Sequence, residues 1–156
     1  MKKIGFALAG ALVLSACAEE QAAEPAPVEG VVPGMTVENG RVVLAPVSGN
    51  PAAVYFDLSY DGERALSLYD AEVAGAGDAM IHQTVVEPGQ NRMVESVPIP
   101  LTAGTTIEFK PGDYHVMAMQ PSSDLAAGGT AEVTLKLSGG GTHKFTADVR
   151  AAGDER

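Results

Sequence analysis

His82, Met93, His115 and Met117 follow one another as His-X10-Met-X21-His-X-Met. Two imidazoles and two thioethers form a soft, uncharged donor set, which suits Cu(I) far better than Mg²⁺, Ca²⁺ or structural Zn²⁺. With three His and six Met among 156 residues, four such residues at spacings fixed in advance coincide by chance on the order of once in ten thousand. Each residue alone is ordinary, since Met commonly fills cores and an isolated His is commonly a satisfied polar group. The combination points to a metal, and thioethers are weak enough ligands to let go one at a time. Four protein ligands would close the metal to substrate, so a carrier is expected rather than an enzyme.

Other chemistry is narrowed by what the chain lacks. Cys17 is its only cysteine, which leaves no pair for a disulfide or thiol exchange and no thiolate cluster for zinc. Blue-copper electron transfer also requires a Cys thiolate among its ligands. No Ser-His-Asp constellation, phosphate loop or zinc-enzyme helix motif is recognisable. Asp57, Asp61, Glu63, Asp70 and Glu72 have no spacing that singles out paired-carboxylate chemistry, and a solvated strand face is expected for them.

The elements that must position the four donors are strands. Short apolar runs alternate with polar residues and are separated by Gly, Pro, Asn and Asp, an all-β signature. Strands are expected over 41–45, 52–60, 65–73, 79–87, 92–97, 105–110, 114–120, 130–138 and 144–149, with no helical period over ten or more residues. So many short strands imply a two-sheet sandwich or a small barrel. Its core is expected from Val54, Phe56, Leu58, Leu66, Leu68, Val85, Ile107, Phe109, Val133, Leu135, Leu137 and Phe145, with no Trp to help. Gly139-Gly140-Gly141 reads as a loose hairpin between the last two strands.

Side chains alternate across a strand, so His115 and Met117 share a face and form a two-pronged clamp. The segment Glu87-Pro88-Gly89-Gln90-Asn91 turns the chain between His82 and Met93 and is expected to bring them near cross-strand register. Two clamps then converge at a sheet edge or loop rim. Met80 shares the face of His82, and Met119 that of His115; packing is the expected role of both. His143, beside the triple glycine, is expected in an exposed loop, and nothing assigns Met35 a role.

The sequences around the donors also carry a likeness. Ala52-Ala53-Val54-Tyr55-Phe56, Pro98-Ile99-Pro100 with Ala103-Gly104, Pro111-Gly112-Asp113-Tyr114-His115-Val116-Met117-Ala118-Met119 and Ala131-Glu132-Val133-Thr134-Leu135 resemble the periplasmic PCuAC copper chaperones over roughly residues 35–149. The resemblance implies a cupredoxin-like Greek-key β-sandwich that binds Cu(I) through His82, Met93, His115 and Met117. It also implies a recipient, either the dinuclear copper site of cytochrome c oxidase or the thioredoxin-like factor that assembles it. Family members often carry an acidic residue directly after the first His, where this chain has Gln83. The His- and Met-rich tail of some relatives is replaced by Arg150-Ala151-Ala152-Gly153-Asp154-Glu155-Arg156, so a second copper site of that kind is not expected.

Upstream, Lys2 and Lys3 precede an apolar run from Ile4 to Leu14, the layout of a secretory signal. The run falls short of the roughly 20 residues that span a bilayer. Leu14-Ser15-Ala16-Cys17 resembles a bacterial lipobox, which makes Cys17 the expected lipidated first residue of the mature protein. Ala18 after it resembles the outer-membrane sorting class. Residues 17–30 lack apolar periodicity and read as an acidic Ala/Pro-rich tether. The expected organisation is therefore signal 1–16, tether 17–30, β-sandwich 31–150 and tail 151–156. Loss of residues 1–16 removes two Lys and no acid, moving the formal charge from −10 to −12. So acidic a surface is unsuited to nucleic acid.

The leading expectation is a monomeric, lipid-anchored periplasmic Cu(I) carrier. A periplasmic copper buffer or resistance protein with the same ligands is the nearest alternative, and a metal-free structural sandwich lipoprotein is the alternative from another class.

Overall fold

The computed structural model describes residues 30–154. The signal segment, Cys17, nearly all of the tether and the last two residues lie outside the described residues. Ten strands follow in order: β1 (Met35–Val43), β2 (Ala52–Tyr60), β3 (Leu66–Val73), β4 (Asp78–Glu87), β5 (Gln90–Glu95), β6 (Ile99–Leu101), β7 (Thr105–Phe109), β8 (Tyr114–Met119), β9 (Thr130–Leu137) and β10 (Thr142–Arg150). They hydrogen-bond in one path, β5-β4-β8-β2-β1-β10-β9-β3-β6, with β7 joined to β2. Every pairing is antiparallel except that of β1 with β10. The path curls until β3 packs against β4 and β8, closing one apolar cluster between two layers. The fold is an all-β sandwich.

Alternation builds that cluster. On β2, Ala52, Val54, Phe56, Leu58 and Tyr60 all point inward and are at most 2% exposed. Phe56 stacks on Phe109 with ring centroids 4.1 Å apart and meets Phe145 at 5.0 Å, a geometry that adds to the area buried. Val116 and Ala118 on β8, and Ala79 and Ile81 on β4, continue the inward layer. Leu68, Val133, Leu135 and Leu137 supply the opposite side. Leu66, Val85, Ile107 and Phe145, expected in the core, are only half-buried.

Three differences from the sequence reading have physical causes. β1 begins at Met35, six residues early, because a bulge between Glu38 and Arg41 with Asn39 at φ 54° interrupts the strand without ending it; Met35 itself is core. β6 is three residues long and includes Pro100, and it survives as an edge strand on β3, a position where a sheet tolerates proline. His143 is not an exposed loop residue. It lies on β10 in phase with the inward-facing Ala147 and Val149 and is 7% exposed, and its Nδ1 accepts a hydrogen bond from Val32 N–H at 3.2 Å. Between β9 and β10 the glycines form a short 3-10 turn, Ser138–Gly140, closed by Leu137 N–H to Gly141 O.

One irregularity matters for the site. β8 pairs with β2 over Ala52 to Val54, and β7 pairs with β2 over Phe56 to Tyr60. The chain passes from β7 to β8 through a tight turn, closed by Asp113 N–H to Lys110 O and Lys110 N–H to Tyr114 O, with Gly112 at φ 83°. Such a φ is open to glycine at little cost. Tyr55 sits at the changeover.

Candidate metal centre

The donors stand on the outer face of the sheet, opposite the core. β4 and β8 are antiparallel with His82 directly across from His115 and Met80 directly across from Met117. Residues directly opposite in a sheet project to the same side, so all four share one face. The imidazoles meet edge to face with ring centroids 6.0 Å apart. On the far side of His115 lies the Tyr55 ring, 6.4 Å away, and Arg41 from β1 covers that ring at 5.1 Å. The hairpin β4–β5 adds Glu95, directly across from His82. The result is a row across five strands: Glu95, His82, His115, Tyr55, Arg41.

This row makes the face unusual. An outward-facing histidine is ordinarily wet, yet His115 is 4% exposed. Its Nδ1–H donates to the Asp113 carbonyl at 2.9 Å, a bond supplied by the β7–β8 turn, and this leaves Nε2 with a lone pair. That Nε2 is buried without a hydrogen-bond partner, and so is Nδ1 of His82. A buried polar atom left unpaired costs on the order of 1–3 kcal/mol, so two on facing rings call for a ligand. Holding one ring nitrogen to a carbonyl while the other stays open is the arrangement that orients a metal-binding histidine. Burial, and secondarily the nearby His115, push His82 below the ordinary histidine pKa, with Glu95 opposing. A neutral imidazole is the form that binds metal.

Thioethers flank the pair. Met117 is half-buried one row from the histidines, on the side of β8 that leads away from the Asp113 turn. Met93 lies on the opposite flank, on edge strand β5, and is 52% exposed. Its register partner is Thr84, not His82, because the hairpin closes as a two-residue turn at Pro88-Gly89 with Glu87 across from Gln90. Met93 is thus one row off the histidines. Met119 shares the face two rows away. Among the described residues no three His, Cys, Asp or Glu side chains cluster, and the side chains one row to either side of the imidazole pair include the Met117 and Met93 thioethers. An imidazole pair between thioethers is a donor set for a soft, monovalent metal.

Tyr55, Arg41 and Glu95 carry no motif in the sequence. The signal that could have found them is period-2 alternation combined with register, and register depends on which strands pair.

Residues 35–149 match the family described as "Putative lipoprotein LpqE-like". The chain belongs to that LpqE-like family. A relative in Leifsonia xyli, "Putative lipoprotein Lxx21020", is 30% identical over 80% of this chain and 77% of its own length. The uncharacterized protein RP573 of Rickettsia prowazekii is 32% identical over 54% of this chain, and the match spans only 47% of that protein. Solved structures place the LpqE-like domain in the PCuAC fold, a cupredoxin-like sandwich. The copper-bound PCuAC domain of PmoF2 superposes with a TM-score of 0.61 at 22% identity, covering 80% of this chain and 99% of that one. The Cu(I) form of DR1885 from Deinococcus radiodurans gives 0.56 at 25% identity, covering 80% and 83%.

Proposed function

We propose that this domain is a cell-envelope copper carrier that takes one Cu(I) on His82, Met93, His115 and Met117 and passes it on by ligand exchange, with no turnover chemistry of its own. The observation that carries the reading is the pair of buried, unpartnered ring nitrogens on His82 and His115, whose rings meet edge to face with thioethers one row to either side. Copper-bound members of the same fold, PmoF2 and DR1885, support the choice of metal. Met93 on an exposed edge supports exchange, because a ligand that leaves the metal toward solvent opens a position for an acceptor.

The test is an anaerobic Cu(I) titration against a chromophoric chelator, run beside the double variant His115→Ala/Met117→Ala. One tight equivalent in the wild type and none in the variant is the expected result. Equal behaviour of the two proteins would end the copper reading and leave a structural sandwich.

The recipient in this reading is the dinuclear copper site of cytochrome c oxidase or its thioredoxin-like assembly factor. Deletion of the gene should then depress oxidase activity at low copper, whereas copper sensitivity with normal oxidase would indicate a buffer. Anchoring through lipid on Cys17, with residues 17–30 as a tether into the periplasm and the outer membrane as the favoured site, is supported by Leu14-Ser15-Ala16-Cys17 and by the lipoprotein names of the family and the Leifsonia relative.

A further inference from the structure

The histidines belong to a pattern that the four-residue motif does not describe. β4 reads Met80-X-His82 and β8 reads His115-X-Met117. Because the strands are antiparallel, the two segments superimpose as a square, with His82 across from His115 and Met80 across from Met117. Directly opposed side chains start about 5 Å apart at Cβ, and successive rows on one face lie roughly 7 Å apart. Both thioethers of the second row are therefore one row from the imidazole pair, and register does not favour Met117 over Met80. Both are half-buried, so neither is committed to the core. On the outer side of Met117 the register partner is Ala53 on β2, which carries no donor. Met93 stands across the imidazole row from this square, displaced to the edge strand and half-exposed.

We propose that Met80 is a fifth copper donor, and that Met80, His82, His115 and Met117 form a closed four-coordinate site which holds Cu(I) when Met93 has let go. This inference rests on the copper-carrier reading above and goes beyond it by dividing the thioethers into two kinds. Met117 and Met80 are retaining ligands on paired inner strands. Met93 is the exchange arm, and its departure toward an acceptor sulfur does not strand the metal on three ligands. No electrons move: one Cu–S bond breaks at Met93 as one forms at Met80, and the ion remains Cu(I).

The test uses Met93→Leu, which alters a half-exposed side chain on an edge strand and leaves the inner strands intact. Wild type, Met93→Leu, Met80→Leu and the Met80→Leu/Met93→Leu pair are titrated anaerobically with Cu(I), and sulfur ligands are counted by X-ray absorption. Met93→Leu should keep two sulfurs and bind within about tenfold of wild type, while the pair should drop to one sulfur and bind more than about a hundredfold more weakly, the non-additivity expected of ligands that replace one another. In Met93→Leu, the ε-methyl signal of Met80 should shift on Cu(I) addition together with that of Met117. If Met93→Leu alone drops to one sulfur, and the Met80 methyl does not move, Met80 is a packing residue and the inference is overturned while the four-ligand carrier stands. A wild-type protein that takes up no Cu(I) would overturn both.

Discussion

Glu95 lies directly across from His82 in the β4–β5 ladder and is the one acid whose charge acts to raise the pKa of that imidazole. The resemblance to PCuAC proteins leads to the expectation of an acid directly after the first histidine, where this chain has Gln83. By alternation Gln83 faces away from His82, so the neighbouring strand supplies the charge instead. A carboxylate that favours a proton on His82 also favours Cu(I) bound there. Replacing Glu95 by Gln should weaken Cu(I) binding by less than about tenfold, and the difference should shrink as salt is raised, since the carboxylate is exposed. An effect independent of ionic strength would mean that Glu95 acts as a ligand or a structural group.

His143 makes the apo fold acid-sensitive. Burial holds its pKa below the ordinary value of 6.5, and its Nδ1 accepts from Val32 N–H, so the folded state needs the neutral ring. The unfolded chain takes up the proton first as pH falls. His143 therefore contributes fully above about pH 6.5, and its contribution is lost as pH drops from there through the lower folded-state pKa. Thermal melts at pH 7.5 and 5.5 should differ less in His143→Gln than in the wild type. His82, shifted in the same direction, leaves part of the difference in place.

Phe56 and Phe109 are the largest fully buried side chains among the described residues. Phe56 is fully buried against Phe109 and Phe145. Truncation of Phe56 to Ala should cost about 3–5 kcal/mol in chemical denaturation. A loss under about 1 kcal/mol would mean that the layers collapse into the space.

Close approach of two loops limits another position. Gly34 has φ 78°, its carbonyl accepts from Asp61 N–H, and a Cβ there would sit 2.6 Å from the Gly62 nitrogen. The obstacle is backbone, so Gly34→Ala should destabilise by more than about 1 kcal/mol, measurable as a shifted urea midpoint.

Lys136 is a contrasting case. It bridges Asp70 at 2.9 Å and Glu72 at 2.8 Å, and Glu72 is 65% exposed. In water such pairs contribute little, so Lys136→Met should change stability by under about 1 kcal/mol, and by less still at high salt.

The strand pattern was legible because β9 alternates cleanly, and the 52–60 strand falls where alternation puts it. Period-2 reading also contained His143, whose phase matches that of Ala147 and Val149; proximity to three glycines obscured it. The shared face of His115 and Met117 was legible, since they stand two residues apart on one strand. The partner of Met93 was not legible, because it depends on where the hairpin closes, and closure at Pro88-Gly89 sets Met93 across from Thr84. That Met80 lies across from Met117 was not legible either, because 37 residues separate them, and only pairing reveals the square. The parallel contact of β1 with β10 joins the two ends of the domain, which local pattern does not encode.

The first described residues are fastened to β10, by Lys144 N–H to Gly30 O and by Val32 N–H to His143 Nδ1. A pull on whatever precedes Gly30 is taken up there. The imidazole pair stands on β8 and β4, with β2 and β1 between β8 and that fastening, roughly 14 Å of sheet at the usual strand spacing. In the proposed carrier, tension from an anchor would be borne by strands that hold none of the four motif residues, which would isolate the imidazole pair mechanically.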